Sequence, residues 1–169
     1  MSVRFSPNWK PDCPLQVVGF LQLVNAVTAT MGYGLHWVEV GGFKGESATL
    51  VAGFPQVERL DVVEASKTHA DAMRQRFAGI QRVNVVQAKS VDAAGEYRQR
   101  SLHVVYVDAD HSYEAVAADL DAWYPKLRIG GYIAGHDYHD GFPGVMRAVN
   151  ERYTGVQTFA DSSWLVRVA

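Results

Sequence analysis

Leu102-His-Val-Val-Tyr-Val-Asp-Ala-Asp-His111 is the stretch that decides the fold. Leu102–Val107 is rich in β-branched and aromatic residues and stops abruptly at Asp108-Ala109-Asp110-His111. A short apolar run bounded by polar residues reads as a buried strand. A second run, Gly131–Ala134, ends in the same manner at Gly135-His136-Asp137. Between them, Ser112–Leu127 carries Tyr113, Val116, Ala117, Leu120, Trp123 and Leu127 at helical spacing. A strand–helix–strand unit makes the two strands parallel and puts their carboxyl ends on one edge of the sheet. Ligands bind at that edge of an open α/β sheet. The acids and histidines of both clusters therefore share one cleft, where they can hold a metal ion or move a proton.

The pattern extends in both directions. Leu15–Met31 has apolar residues at Val17, Phe20, Leu21, Val24, Val27 and Met31, an amphipathic helix closed by Gly32 and Gly34. Leu35–Val40 is a first strand, with a helix starting near Gly45–Leu50. Arg59–Val63 is a second strand ending at Glu64, and Ser66 caps a helix with Ala70, Met73 and Phe77 on one face. Val83–Val86 is a third strand, and residues 88–101 are polar and without a clear period. Gly130-Gly131 turns the chain into the fifth strand. Phe142–Tyr153 is helical, and Val156–Phe159 and Trp164–Val168 form an antiparallel hairpin. The result is a mostly parallel α/β sheet closed by that hairpin.

Composition narrows the function. The chain has 169 residues, enough for one full core, with 48% hydrophobic and 20% charged residues. A net charge of -2 gives no electrostatic basis for binding nucleic acid. The single cysteine, Cys13, fits a reducing compartment. The N-terminal segment lacks the apolar core of a secretory signal, and no apolar run is long enough to span a membrane. The expected setting is cytoplasmic. Residues 1–14 read as an irregular arm and 15–169 as one domain.

The first strand runs into Glu39-Val-Gly-Gly-Phe-Lys-Gly-Glu-Ser47. Glycines at a strand-to-helix turn let the backbone approach a ligand closely. The spacing is not G-x-G-x-x-G, and Glu46 at the start of the helix would repel a pyrophosphate. A nicotinamide dinucleotide is therefore disfavoured. Glu64, 19 residues after Gly45, can accept hydrogen bonds from both hydroxyls of a ribose. Ser90 follows the third strand, where a nucleobase would lie. Together these features describe a nucleoside cofactor without phosphates. His36, His69 and His103 read as structural, Trp123 and Tyr124 as core, and Asp119 as a solvated helix residue.

The run from Glu39-x-Gly41-x-x-x-Gly45-x-Ser47 through Glu64, Ser90 and Asp108-x-Asp110-His111-Ser112-Tyr113 to Gly135-His136-Asp137-Tyr138 resembles class I S-adenosylmethionine-dependent methyltransferases. Residues 102–149 are most similar to the type 24 methyltransferase-domain branch, which includes sugar and macrolide O-methyltransferases and relatives of cephalosporin-biosynthesis enzymes. The resemblance implies a Rossmann-like α/β/α fold with a seven-stranded sheet of order 3-2-1-4-5-7-6, strand 7 antiparallel. It implies that Glu39, Gly41, Gly42, Phe43, Gly45 and Ser47 face the methionine part of the cofactor. Glu64 and Ala65 would meet the ribose, Ser90 would border the adenine, and Asp108 would close the site. It further implies a divalent metal at Asp108, His136 and Asp137, with Asp108, His111 and His136 as catalytic groups.

His136 stands where an acid is more usual, which leaves open magnesium or a softer ion, His136 as a base, or a site without metal. His111 is the candidate base. The implied partner is a small acceptor with a hydroxyl. The apolar first helix is a candidate homo-oligomer surface. Because the chain is short and shows no lid insertion, a non-catalytic S-adenosylmethionine-binding module of the same fold is the alternative.

Overall fold

The computed structural model describes residues 14–169. The arm expected over residues 1–14 lies outside the described residues except for Pro14, which opens the first helix. In chain order the elements are α1 (Pro14–Met31), β1 (Leu35–Val40), α2 (Glu46–Ala52), β2 (Val57–Glu64), α3 (Lys67–Arg76) and β3 (Val83–Gln87). They continue with α4 (Ser90–Gly95), β4 (Leu102–Val107), α5 (Tyr113–Trp123), β5 (Leu127–Gly135), α6 (Pro143–Arg152), β6 (Gln157–Thr158) and β7 (Trp164–Arg167). The strands form one sheet of order β3-β2-β1-β4-β5-β7-β6, the order the resemblance implied. β1 to β5 are parallel, and β7 runs antiparallel to both β5 and β6.

Alternation along the strands sends side chains to two cores. Val38, Val40, Val105, Val107 and Ile133 pack with Ala93 of α4, Val116, Leu120 and Trp123 of α5, and Val149 of α6. Trp37, Leu60, Val104, Tyr106 and Ala134 pack with Phe20, Leu23 and Val27 of α1, Val51 of α2, and Met73 of α3. Helices thus cover both faces, and each fully buried side chain such as Leu120 contributes roughly 1.5–3 kcal/mol. Val40 pairs with Val107 and Val107 with Gly135, so the polar endings of β1, β4 and β5 emerge side by side.

Three boundaries differ from the sequence reading. The helix pattern through Leu127 breaks at Pro125, which has no N–H to donate. The chain tightens there into a 3-10 turn, Tyr124–Lys126, and Leu127 opens the strand. Gly130 and Gly131 therefore lie inside β5, where the register against β4 shifts. Residues 88–101 contain α4, whose single turn and a half is too short to show a period. Asp119 is buried rather than solvated, because α5 packs against α4; that burial raises its carboxyl, and the nearby Ser90 hydroxyl partly offsets the shift.

Candidate active site

Two cavities open at the carboxyl edge and share one residue. The first, about 250 Å³, is lined by Gly41, Phe43, Glu64, Ala65, Ser90 and Asp108, with His69 and Ala88 among the remaining lining residues. The second, about 310 Å³, is lined by Gln16 and Phe20 of α1, Ser47, Tyr106, Asp108, His136, Asp137 and Asp161. Asp108 belongs to both.

The glycine turn shapes the first cavity. Gly41 has φ 93°, and a Cβ there would overlap the carbonyl oxygen of Asp108, so only glycine lets β1 and β4 end this close together. Phe43 holds a left-handed φ of 44°, is half-exposed, and meets the His69 ring edge-on at 4.6 Å. Its N–H donates to Glu64 Oε2 at 2.8 Å, and the N–H of Ser66 donates to Oε1 at 2.7 Å. Each carboxylate oxygen keeps a lone pair for a further donor. The Ser90 hydroxyl borders the cavity but accepts the indole N–H of Trp123 at 2.9 Å, a core bond.

Glu39, Gly42, Gly45 and Ser47 do not line this cavity. Glu39 is buried beneath the turn, where one oxygen accepts the Ser47 hydroxyl and Oε2 has no partner. Burial pushes its carboxyl up to about 8, against the Ser47 hydrogen bond and with help from the nearby Asp108 charge. An orphaned buried carboxyl oxygen at this place fits the ammonium of a methionine group.

The donor atoms of Asp108, His111 and Asp137 lie within 4.8 Å of one another. Asp108 and Asp137 line the second cavity, whereas His111 lines a narrow pocket beside it together with Asp108 and His136. His111 Nε2 is 2.8 Å from Asp137 Oδ2 and 3.6 Å from Asp108 Oδ1. The nitrogen is buried, yet neither contact is aligned as a hydrogen bond. His136 stands outside this trio. Its Nδ1 lies 3.1 Å from Asp137 Oδ1, and its Nε2 turns toward Asp161 at 3.9 Å. Burial opposes protonation of His136, but Asp137, Asp108 and Asp161 outweigh it and raise its pKa to about 9. His111 is raised as well, by Asp108 first and then Asp137, against its burial. Burial would raise the Asp137 carboxyl, and the surrounding His136, His111 and His139 reverse the shift. Asp137 sits at φ 59°, a left-handed turn that aspartate tolerates.

Two lining residues had no distinct sequence signal. His69 reads as an ordinary helix residue, and its place beside Glu64 follows from the packing of α3 against β2. Asp161 reads as a hairpin-turn residue. Its buried carboxylate accepts the N–H and the hydroxyl of Ser163, whose hydroxyl in turn contacts that of Tyr106 at 3.2 Å.

Residues 38–138 match the family model described as a methyltransferase domain. An uncharacterized protein of Acanthamoeba polyphaga mimivirus is 26% identical over 136 residues, covering 73% of this chain and 61% of the viral protein. The chain thus spans about three-fifths of that relative's length. Among solved structures, a candidate O-methyltransferase from Klebsiella pneumoniae superposes with a TM-score of 0.69 at 18% identity, covering 99% of this chain and 83% of that one. The N-methyltransferase NodS from Bradyrhizobium japonicum WM9 gives 0.66 at 16% identity, with 92% and 96% covered. At these identities the structural matches establish the fold.

Proposed function

The chain belongs to the methyltransferase domain family, and from that premise we propose that it methylates a hydroxyl of a small, sugar- or natural-product-like molecule, using S-adenosylmethionine and a divalent ion. The carrying observation is Asp108, the wall common to both cavities. A cofactor in the first cavity would meet an acceptor in the second at a carboxylate–imidazole cluster, which suits a hydroxyl that must lose its proton.

The cofactor supplies an electrophilic sulfonium methyl. Glu64 offers its remaining lone pairs to the ribose hydroxyls, with Ala65 alongside, and Ser90 borders the adenine. Within the glycine turn, Gly41 and Phe43 border the ligand, while Ser47 orients Glu39 toward the methionine ammonium. On the acceptor side, Asp108, His136 and Asp137 orient the reacting hydroxyl. Its proton passes to the Asp108 carboxylate, which faces the acceptor cavity. Holding both reactants in near-attack geometry supplies a large share of the rate. A divalent ion between Asp108 and Asp137 would add Lewis-acid polarisation of the acceptor oxygen. The carboxylate donors there fit such an ion.

Calorimetry with S-adenosylhomocysteine tests the cofactor, and no binding at millimolar ligand overturns the proposal. A screen of hydroxylated acceptors for S-adenosylhomocysteine release tests the reaction, with methyl found only on nitrogen or carbon as the contrary result. Asp137→Ala is expected to bind cofactor normally and lose turnover by about 10²-fold or more, and Asp108→Ala to lose turnover as much while weakening cofactor binding, because Asp108 lines both cavities. Turnover unchanged in both variants would remove the cluster from the chemistry.

A further inference from the structure

The trio Asp108, His111 and Asp137 says more about the ion than that it is divalent. We infer that all three residues ligate it, and that the mixed set selects a transition-metal ion such as Fe²⁺, Co²⁺, Ni²⁺ or Zn²⁺ over Mg²⁺. This rests on the metal-assisted reading above.

The first argument is spacing. Neighbouring ligands about 2.1 Å from one ion lie about 3.0 Å apart at right angles. His111 Nε2 is 2.8 Å from Asp137 Oδ2 and 3.6 Å from Asp108 Oδ1, and the donor atoms of all three fall within 4.8 Å. The second is the state of Nε2. A plain imidazolium–carboxylate pair would aim its N–H at the carboxylate, but this nitrogen is buried without an aligned partner. Once its proton is displaced, a nitrogen facing the gap between two carboxylates is what a cation needs.

The third argument is the support around the trio. Asp137 uses Oδ2 toward His111 and Oδ1 toward His136 Nδ1 at 3.1 Å. A ligating carboxylate whose second oxygen is held by another side chain is a common outer arrangement of metal sites. His136 is then the residue behind the ligand rather than the ligand. The His111 ring lies 4.7 Å from that of Phe142, and its loop is fixed where Ser112 N–H donates to Asp110 at 2.7 Å. Finally, Asp108 and Asp137 line the second cavity, so an ion they held would border the space for the acceptor. Mg²⁺ prefers oxygen ligands throughout, whereas imidazole favours the later divalent ions.

Co²⁺ alone, added to the full chain, is the probe. Visible absorption should report one equivalent bound, and proton NMR one exchangeable, paramagnetically shifted imidazole N–H. Zn²⁺ should displace Co²⁺, and equimolar Mg²⁺ should not. His111→Ala should lose the shifted signal and weaken Co²⁺ by more than about 100-fold, while His136→Asn should keep the signal and cost about 100-fold at most. S-adenosylhomocysteine affinity, measured on each variant, controls for the fold. A shifted signal lost in His136→Asn but kept in His111→Ala overturns the inference. So does equal competition by Mg²⁺, or a plain His111–Asp137 ion pair that takes up no Co²⁺ while the cofactor product still binds. Failure of S-adenosylhomocysteine to bind the unmodified chain would instead remove the proposed function itself.

Discussion

The carboxyl of Glu39 has one oxygen held by Ser47 and one bare, and its pKa of about 8 keeps it protonated at neutral pH in the free protein. An ammonium placed against it favours the charged form and lowers that pKa. Ligand binding near pH 7 is therefore expected to release a proton, and affinity should rise with pH up to about 8. Calorimetry in buffers of different ionisation enthalpy measures the release directly, and Glu39→Gln should abolish it. An unchanged proton count in that variant would place the ammonium elsewhere. The chemical residues were legible at this scale wherever type and position coincide, as with Glu39, Glu64, Asp108 and Asp137 at strand ends. His111 and His136 were both readable as site residues, but not their division of labour. That depends on which Asp137 oxygen each ring faces, and spacing carries no information about it.

At the scale of elements, α1 approaches the β6–β7 turn closely at Gly19. A Cβ on Gly19 would overlap the Asp161 carboxylate and its backbone nitrogen. Gly19→Val is expected to lift α1 from the turn, at about 1–3 kcal/mol of stability. Gln16 and Phe20 line the second cavity only, so acceptor KM should rise while S-adenosylhomocysteine affinity holds. Urea denaturation and the two binding measurements together check this, and an equal loss of cofactor affinity would contradict it. Strands β1 and β4 were legible to the residue because apolar runs end sharply at polar ones. The α5–β5 junction was not, because apolar periodicity continues through Leu127 while Pro125 removes the hydrogen bond that would continue the helix. Asp119 was misread for a related reason: the helix that buries it is too short to announce itself.

Across the whole molecule, the carboxyl edge of the sheet holds the candidate site, and a separate polar network lies toward the opposite edge. There Asp61, fully buried, accepts from His36 at 2.8 Å, Arg59 at 3.0 Å, Tyr97 at 3.0 Å and Asn84 at 3.2 Å. Burial alone would raise its carboxyl, but the bonds from His36, Arg59 and Asn84 win and bring it down to about 2. The folded pKa lies below the ordinary 3.8, so this stabilisation is present above about pH 4 and is lost as pH falls toward 2. Urea midpoints across that range should fall steeply for the unmodified chain and less for Asp61→Asn. Near pH 7 the variant should be less stable by about 3–5 kcal/mol, since it leaves buried donors unpaired. Parallel midpoint curves for the two proteins would show that the acid-sensitive step lies elsewhere. The joint between Gly41 and Asp108 bears on how such a chain can diversify. The main chain of Asp108 occupies the space that a larger residue at 41 would need, while its side chain faces both cavities. Any drift in acceptor preference that shifts Asp108 also spoils the cofactor's seat. Substitutions that touch the second cavity alone, such as at Gln16 and Phe20, are the ones that can change the acceptor while leaving the cofactor half intact.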